Sequence, residues 1–253
     1  MTSENTSGSL RRTPHEQGGS SSRRTFLLVH GGTYTSRCWD LLAPLLDGDV
    51  VAVDLPGRGR RPADIGSMTV ADNVAAVLEE LGDKREVILV GHSMGGITVA
   101  EVLNRVSDQI REVVLLSCII PSHGRTGMDA IDPEVRDLIL GIAVDGAYKL
   151  DDADPLRHLM GNDVSERDMP LVLDVVDESL KILQDPVDVR GLSTFGSVTY
   201  VRLTNDLCLS PRQQDKGIAA LGSPDVVEID SGHMVMISQP KQVAGILNEI
   251  AAR

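Results

Sequence analysis

Six short runs in this 253-residue chain are, for the most part, apolar at consecutive rather than alternate positions. They are Phe26–Val29, Val50–Val53, Val87–Val90, Val113–Ile120, Val198–Leu203 and Val226–Ile229. A strand with one wet face alternates apolar and polar residues, whereas an unbroken β-branched run is buried on both faces. Both faces of a sheet stay dry only when helices cover them. Candidate helices lie where that requires, near 39–46, 69–82, 95–106, 211–221 and 238–252. Thr69 is placed to cap the second, with Asp72 as its capping-box partner. The pattern predicts an α/β chain built on a mostly parallel, doubly wound sheet of about six strands.

The alternation stops between Pro121 and Gly196, where no convincing strand is present and Asp132–Val144 and Pro170–Leu183 read as helical and acidic. A helical insertion at 121–196 is expected to cap the C-terminal ends of the strands, the edge where open α/β sheets bind ligands. Residues 1–24, rich in Ser, Gly, Thr and Arg, are expected to form a disordered tail. The domain proper is then 25–253.

Only 2% of residues are aromatic against 42% hydrophobic, so core and pocket are expected to be aliphatic. A net charge of −13 argues against nucleic acid and anionic membrane as partners. Cys38, Cys118 and Cys208 are scattered and odd in number, which predicts neither disulfides nor a metal site and suits a cytoplasmic location. No apolar run approaches the roughly 20 residues of a membrane span. Arg23-Arg24 followed by Phe26–Val29 imitates a twin-arginine export signal. The apolar stretch is too short for one and reads better as the first strand. Arg outnumbers Lys 19 to 5, a bias associated with GC-rich bacterial genomes.

The chemistry is concentrated in Gly91-His92-Ser93-Met94-Gly95-Gly96, which follows one apolar run and opens a helical pattern. G-x-S-x-G between strand and helix is a nucleophile elbow: a sharp turn lifts the Ser93 hydroxyl clear of the sheet. A serine hydroxyl needs a base, and the base an orienting carboxylate. In this context the acid and then the base follow the serine along the chain. His233, in Asp230-Ser231-Gly232-His233-Met234 after the last run, is the expected base. Asp206, in Thr204-Asn205-Asp206, is the expected acid. Asp215, within a helix, and Asp225, opening a strand, are its rivals. The Met94 N–H at the helix start and the Gly32 N–H of His30-Gly31-Gly32 are the expected oxyanion donors. Gly31, His92, Cys118 and Met234 are weaker candidates for substrate contact, and His30 is expected to fix its loop. Asp54-Leu55-Pro56-Gly57-Arg58-Gly59 reads as turn chemistry alone.

On these residues the sequence resembles the α/β-hydrolase superfamily, and within it the methylesterase and hydroxynitrile lyase family. The resemblance runs from about Thr25 to the C-terminus and includes Val29-His30-Gly31-Gly32, Trp39, the elbow, Phe195-Gly196-Ser197-Val198, Thr204-Asn205-Asp206 and His233-Met234-Val235-Met236. The lyases of that family carry Thr after the loop histidine and Lys after the catalytic one. Gly31 and Met234 stand there in this chain, as in the esterases. Arg37, where the family often has Trp, the Asp54–Gly59 turn and the insertion depart from the pattern.

The triad and the resemblance imply a serine hydrolase cleaving a carboxylic ester through an acyl-enzyme, without metal or organic cofactor, and the acidic, aliphatic insertion suggests a small, largely apolar substrate of methyl ester or lactone type. Three alternatives stand beside it: a thioesterase, which would use the same residues; a non-hydrolytic tailoring enzyme (cyclase, C–C hydrolase or lyase), which would use the pocket; and, of another class, a small-ligand binding protein with negligible turnover. Oligomeric state is not legible.

Overall fold

The computed structural model describes residues 24–253. Of the tail expected over 1–24, all but Arg24 lies outside the described residues. Six strands form one wholly parallel sheet: β1 (Thr25–Val29), β2 (Asp49–Val53), β3 (Val87–His92), β4 (Ile110–Leu116), β7 (Val198–Leu203) and β8 (Asp225–Ile229). Two short strands, β5 (Ala147–Tyr148) and β6 (Glu178–Ser179), pair antiparallel in a separate ribbon. The sheet order is β2-β1-β3-β4-β7-β8. Chain direction across the sheet therefore reverses between β1 and β3, the switch point where such sheets open a crevice for ligands.

The unbroken apolar runs explain the layering. Leu27, Val29, Val87 and Leu89 enter one core with α1 (Val70–Leu81) and α2 (Gly95–Val106). Phe26, Leu28, Ile88 and Val90 enter the other, against Trp39 and α10 (Pro240–Ala252). All eight of these strand side chains are fully buried, each burial contributing about 1.5–3 kcal/mol. α8 (Pro211–Ala220) and α10 fall where helices are expected, and a further short helix, α9 (Val235–Ser238), precedes α10. Thr69 and Asp72 form the capping box that their spacing predicts, with the Thr69 N–H donating to the Asp72 carboxylate at 2.9 Å.

Three elements depart from the sequence reading. The helix expected at 39–46 is two 3-10 turns, Ser36–Trp39 and Ala43–Leu45, because Pro44 has no N–H for an α-helical bond. The run Val113–Ile120 leaves the sheet at Leu116, since Ser117 is left-handed at φ 40° and turns its hydroxyl toward Asp206. Pro170–Leu183 is not one helix. α5 (Met169–Val172) and α6 (Lys181–Gln184) flank an extended piece, where the Val176 N–H donates to Thr33 O at 2.8 Å and β6 pairs with β5. The other helices of the insertion are α3 (Pro133–Ile142), α4 (Ala153–Leu159) and α7 (Arg190–Thr194).

Candidate active site

Parallel pairing brings the loops after β1, β3 and β4 to one sheet edge. Val29 stands opposite Gly91, and Gly91 opposite Leu115, so the chain leaves β1, β3 and β4 side by side. Ser93 follows β3 at once, at φ 52°. Left-handed backbone costs a non-glycine residue roughly 1–2 kcal/mol. The turn fits only because Gly95 lacks a side chain: a Cβ there would stand 2.7 Å from Val29 O and 2.8 Å from His30 O.

Ser93 Oγ lies 3.0 Å from His233 Nε2, and His233 Nδ1 lies 2.7 Å from Asp206 Oδ2. A carboxylate only accepts, so Nδ1 carries the hydrogen and Nε2 presents its lone pair to the serine hydroxyl. Asp206 is held by three further donors: Ser117 Oγ at 2.6 Å on Oδ2, and the Cys208 and Leu209 N–H groups at 2.8 Å on Oδ1. His92 Nε2–H donates to His233 O at 3.0 Å and so fixes the base's backbone.

Burial alone would lower the pKa of His233. The adjacent Asp206 charge, helped by Cys208, overrides it and raises the pKa well above 6.5. Burial and then the His233 charge push His92 well down. Burial and Arg58 lower His30 to about 3. The neutral His30 accepts the Leu55 N–H on Nε2 at 3.3 Å and donates from Nδ1 to Gly31 O, which fixes its loop. Of these three buried histidines, His233 alone holds a proton readily.

The Gly32 and Met94 N–H groups have no hydrogen-bond partner among the described residues. The neighbouring Thr33 N–H is occupied by Glu178 Oε2 at 3.1 Å. Gly32, Thr33, Ser93 and Met94 line a cavity of about 50 Å³ whose other walls include Ile139, Tyr148 and Leu183 of the insertion. Apolar side chains dominate it, as the composition predicts.

Gly31, His92, Cys118 and Met234, expected near the substrate, are not among the residues that line this cavity. Gly31 packs behind Ser93, where a Cβ would come 2.9 Å from the serine Cβ. His92 lies edge-on to Trp39 with its ring fully buried. Cys118 packs on Gly96, and Met234 has no exposed surface at all. Asp215 pairs with Arg202 at 2.7 Å and Asp225 opens β8, and the carboxylate bonded to His233 is that of Asp206.

Several supporting residues are not apparent in the sequence. Arg58, in the turn after β2, reaches inward to pair with Glu178 of β6, and both are buried. Nothing in the sequence separates Glu178 from Asp174 or Asp177. Asp163 accepts Ser231 Oγ at 2.7 Å and the Gly232 N–H at 2.8 Å, beside the base. Asn162 Nδ2 donates to Asn205 O at 2.9 Å, beside the acid. The insertion thus fastens both loops. Among the described residues no group of His, Cys, Asp and Glu is placed to hold a metal ion, and no helix is long and apolar enough to cross a membrane.

A parallel sheet with a serine elbow at its switch point defines a class, and comparison with known proteins agrees. The model of the alpha/beta hydrolase family matches residues 26–246. The chain belongs to that family and is a hydrolase. It is 26% identical to methylesterase 3 of Arabidopsis thaliana over 249 residues, covering 89% of this chain and 95% of the relative. It is 23% identical to polyneuridine aldehyde esterase of Rauvolfia serpentina, covering 94% and 99%. An extracellular alpha/beta-hydrolase from a Paenibacillus species superposes with a TM-score of 0.79 at 21% identity, covering 89% and 98%.

Proposed function

We propose that this hydrolase cleaves a carboxylic ester of a small, largely apolar molecule, of methyl ester or lactone type, through an acyl-enzyme on Ser93. The observation that carries the reading is the hydrogen-bonded chain Ser93–His233–Asp206, at 3.0 and 2.7 Å, opening into an apolar cavity. His233 Nε2 takes the hydroxyl proton as Ser93 Oγ attacks the ester carbonyl. The Asp206 carboxylate stabilises the imidazolium so formed. The carbonyl oxygen, now an anion, accepts the Gly32 and Met94 N–H groups. Such donors are worth about 3–4 kcal/mol each at the transition state. His233 returns the proton to the departing alcohol, and a water activated by the same nitrogen then releases the acid.

Esterase rather than lyase chemistry is favoured by the residue after His233. Met234 is fully buried and apolar, so it offers no ammonium to a leaving anion. The relatives named as esterases support the same reading. A panel of methyl esters, lactones and acyl thioesters tests it, with Ser93→Ala as control. Turnover of the esters that disappears in Ser93→Ala is the expected result. Turnover restricted to thioesters, or undiminished in Ser93→Ala, would refute it.

A further inference from the structure

A second cavity, of about 140 Å³, lies beyond the one at Ser93. Its walls are the facing sides of α3 and α4, including Leu138, Ile142, Leu156 and Leu159. The two cavities share five lining residues, Val135, Ile139, Leu150, Met160 and Cys208. None of the five is charged. Lys149, Asp151 and Asp152, the charged residues of the second cavity, are exposed. None of the buried side-chain atoms left without a hydrogen-bond partner belongs to the second cavity. Its remaining walls are apolar side chains, so an apolar group seated there meets mainly apolar surface.

We propose that this second cavity is a subsite for an apolar arm on the acyl side of the substrate. The proposal rests on the methyl ester reading: with a methyl group leaving, any large part of the substrate must be the acyl part. The ester group occupies the cavity at Ser93, which is too small for more. The arm passes Ile139 and Met160, both almost fully buried, into the space between α3 and α4. Met160 suits that position, since an unbranched thioether adapts its shape to what lies beside it. An aliphatic cavity of roughly 150 Å³ holds one benzene molecule, so the arm has about six carbons, as a ring or a short chain. The substrate class is thus a methyl ester of a medium-length or cyclic aliphatic acid, with no charge beyond its ester group.

The test is kcat/KM across straight-chain methyl esters from acetate to dodecanoate, with fluorophosphonate labelling of Ser93 in parallel. Each methylene that enters the subsite is expected to raise kcat/KM about fourfold, levelling near about eight acyl carbons. Leu138→Trp, which fills the second cavity, is expected to lower the octanoate-to-acetate ratio of kcat/KM by at least about tenfold. Leu159→Phe provides a second filling variant should Leu138→Trp fail to fold. Labelled Ser93 with a flat chain-length profile, or filling variants that slow all esters equally, would overturn the subsite and leave the ester reading standing. No labelling and no ester turnover would overturn both.

Discussion

Arg58 and Glu178 form an ion pair whose side chains are 1% and 2% exposed, joining the turn after β2 to the ribbon of the insertion. The same carboxylate accepts the N–H of Thr33, a β-branched residue held at φ 63° beside Gly32. A buried pair like this is a poor source of net stability, yet losing one partner strands the other. Its effect here is to hold a strained backbone in the loop that carries Gly32.

Glu178→Gln is therefore expected to destabilise the protein by about 3–5 kcal/mol, measured by denaturant unfolding. Thr33→Gly removes the cost of left-handed backbone, so in that background the same substitution is expected to cost about 1 kcal/mol less. Equal costs in the two backgrounds would show that the clamp does not act on Thr33.

The charge of Asp206 raises the pKa of His233 against the effect of burial. A general base works only when deprotonated, so a raised pKa moves the rising limb of kcat/KM to higher pH. In wild type the midpoint of that limb is expected above 6.5. Asp206→Asn removes the attraction, so its midpoint should fall while the plateau drops by about 10⁴. A midpoint unchanged in Asp206→Asn would contradict the pairing.

Asp163 belongs to the insertion but holds the Ser231-Gly232 turn that presents His233. Asp163→Ala is expected to lower kcat by about 10- to 100-fold through misplacement of the base. KM should change little, because Asp163 does not line the cavity at Ser93. A change confined to KM would place its role elsewhere.

Gly95→Ala puts a Cβ against two backbone oxygens that cannot move without disturbing β1. Overpacking of this kind costs typically about 1–3 kcal/mol, and rigid backbone leaves little relief. A drop in melting temperature with loss of activity is expected, whereas a fully active, equally stable variant would contradict the elbow geometry.

The sheet was legible because its signal is local. Unbroken runs such as Phe26–Val29 and Val87–Val90 specify two buried faces in the central strands, whereas Val50–Val53 and Val226–Ile229, at the two edges of the sheet, stay partly exposed. Ser93 and Gly95 were legible for the same reason, since the elbow is one contiguous turn between strand and helix. Asp206 and His233 could be placed because each follows an evident strand. The supports were not legible, because they depend on pairings across long stretches of chain. Arg58 and Glu178 are 120 residues apart, and Asp163 and Gly232 are 69 apart. In Pro170–Leu183 helical spacing lost to such contacts, as the Val176 N–H donates to Thr33 O and Glu178-Ser179 pairs with Ala147-Tyr148 instead of continuing a helix. His92, Cys118 and Met234 are close to the reacting atoms in sequence, yet each side chain points into packed protein rather than toward the cavity.

The central claim is that Ser93 is an activated nucleophile. Its most direct test is treatment of the folded chain with a fluorophosphonate, followed by peptide mass spectrometry. The expected result is one adduct, on the peptide carrying Ser93, absent from Ser93→Ala and much reduced in His233→Ala. Folded protein that turns over esters while Ser93 remains unmodified would contradict the account.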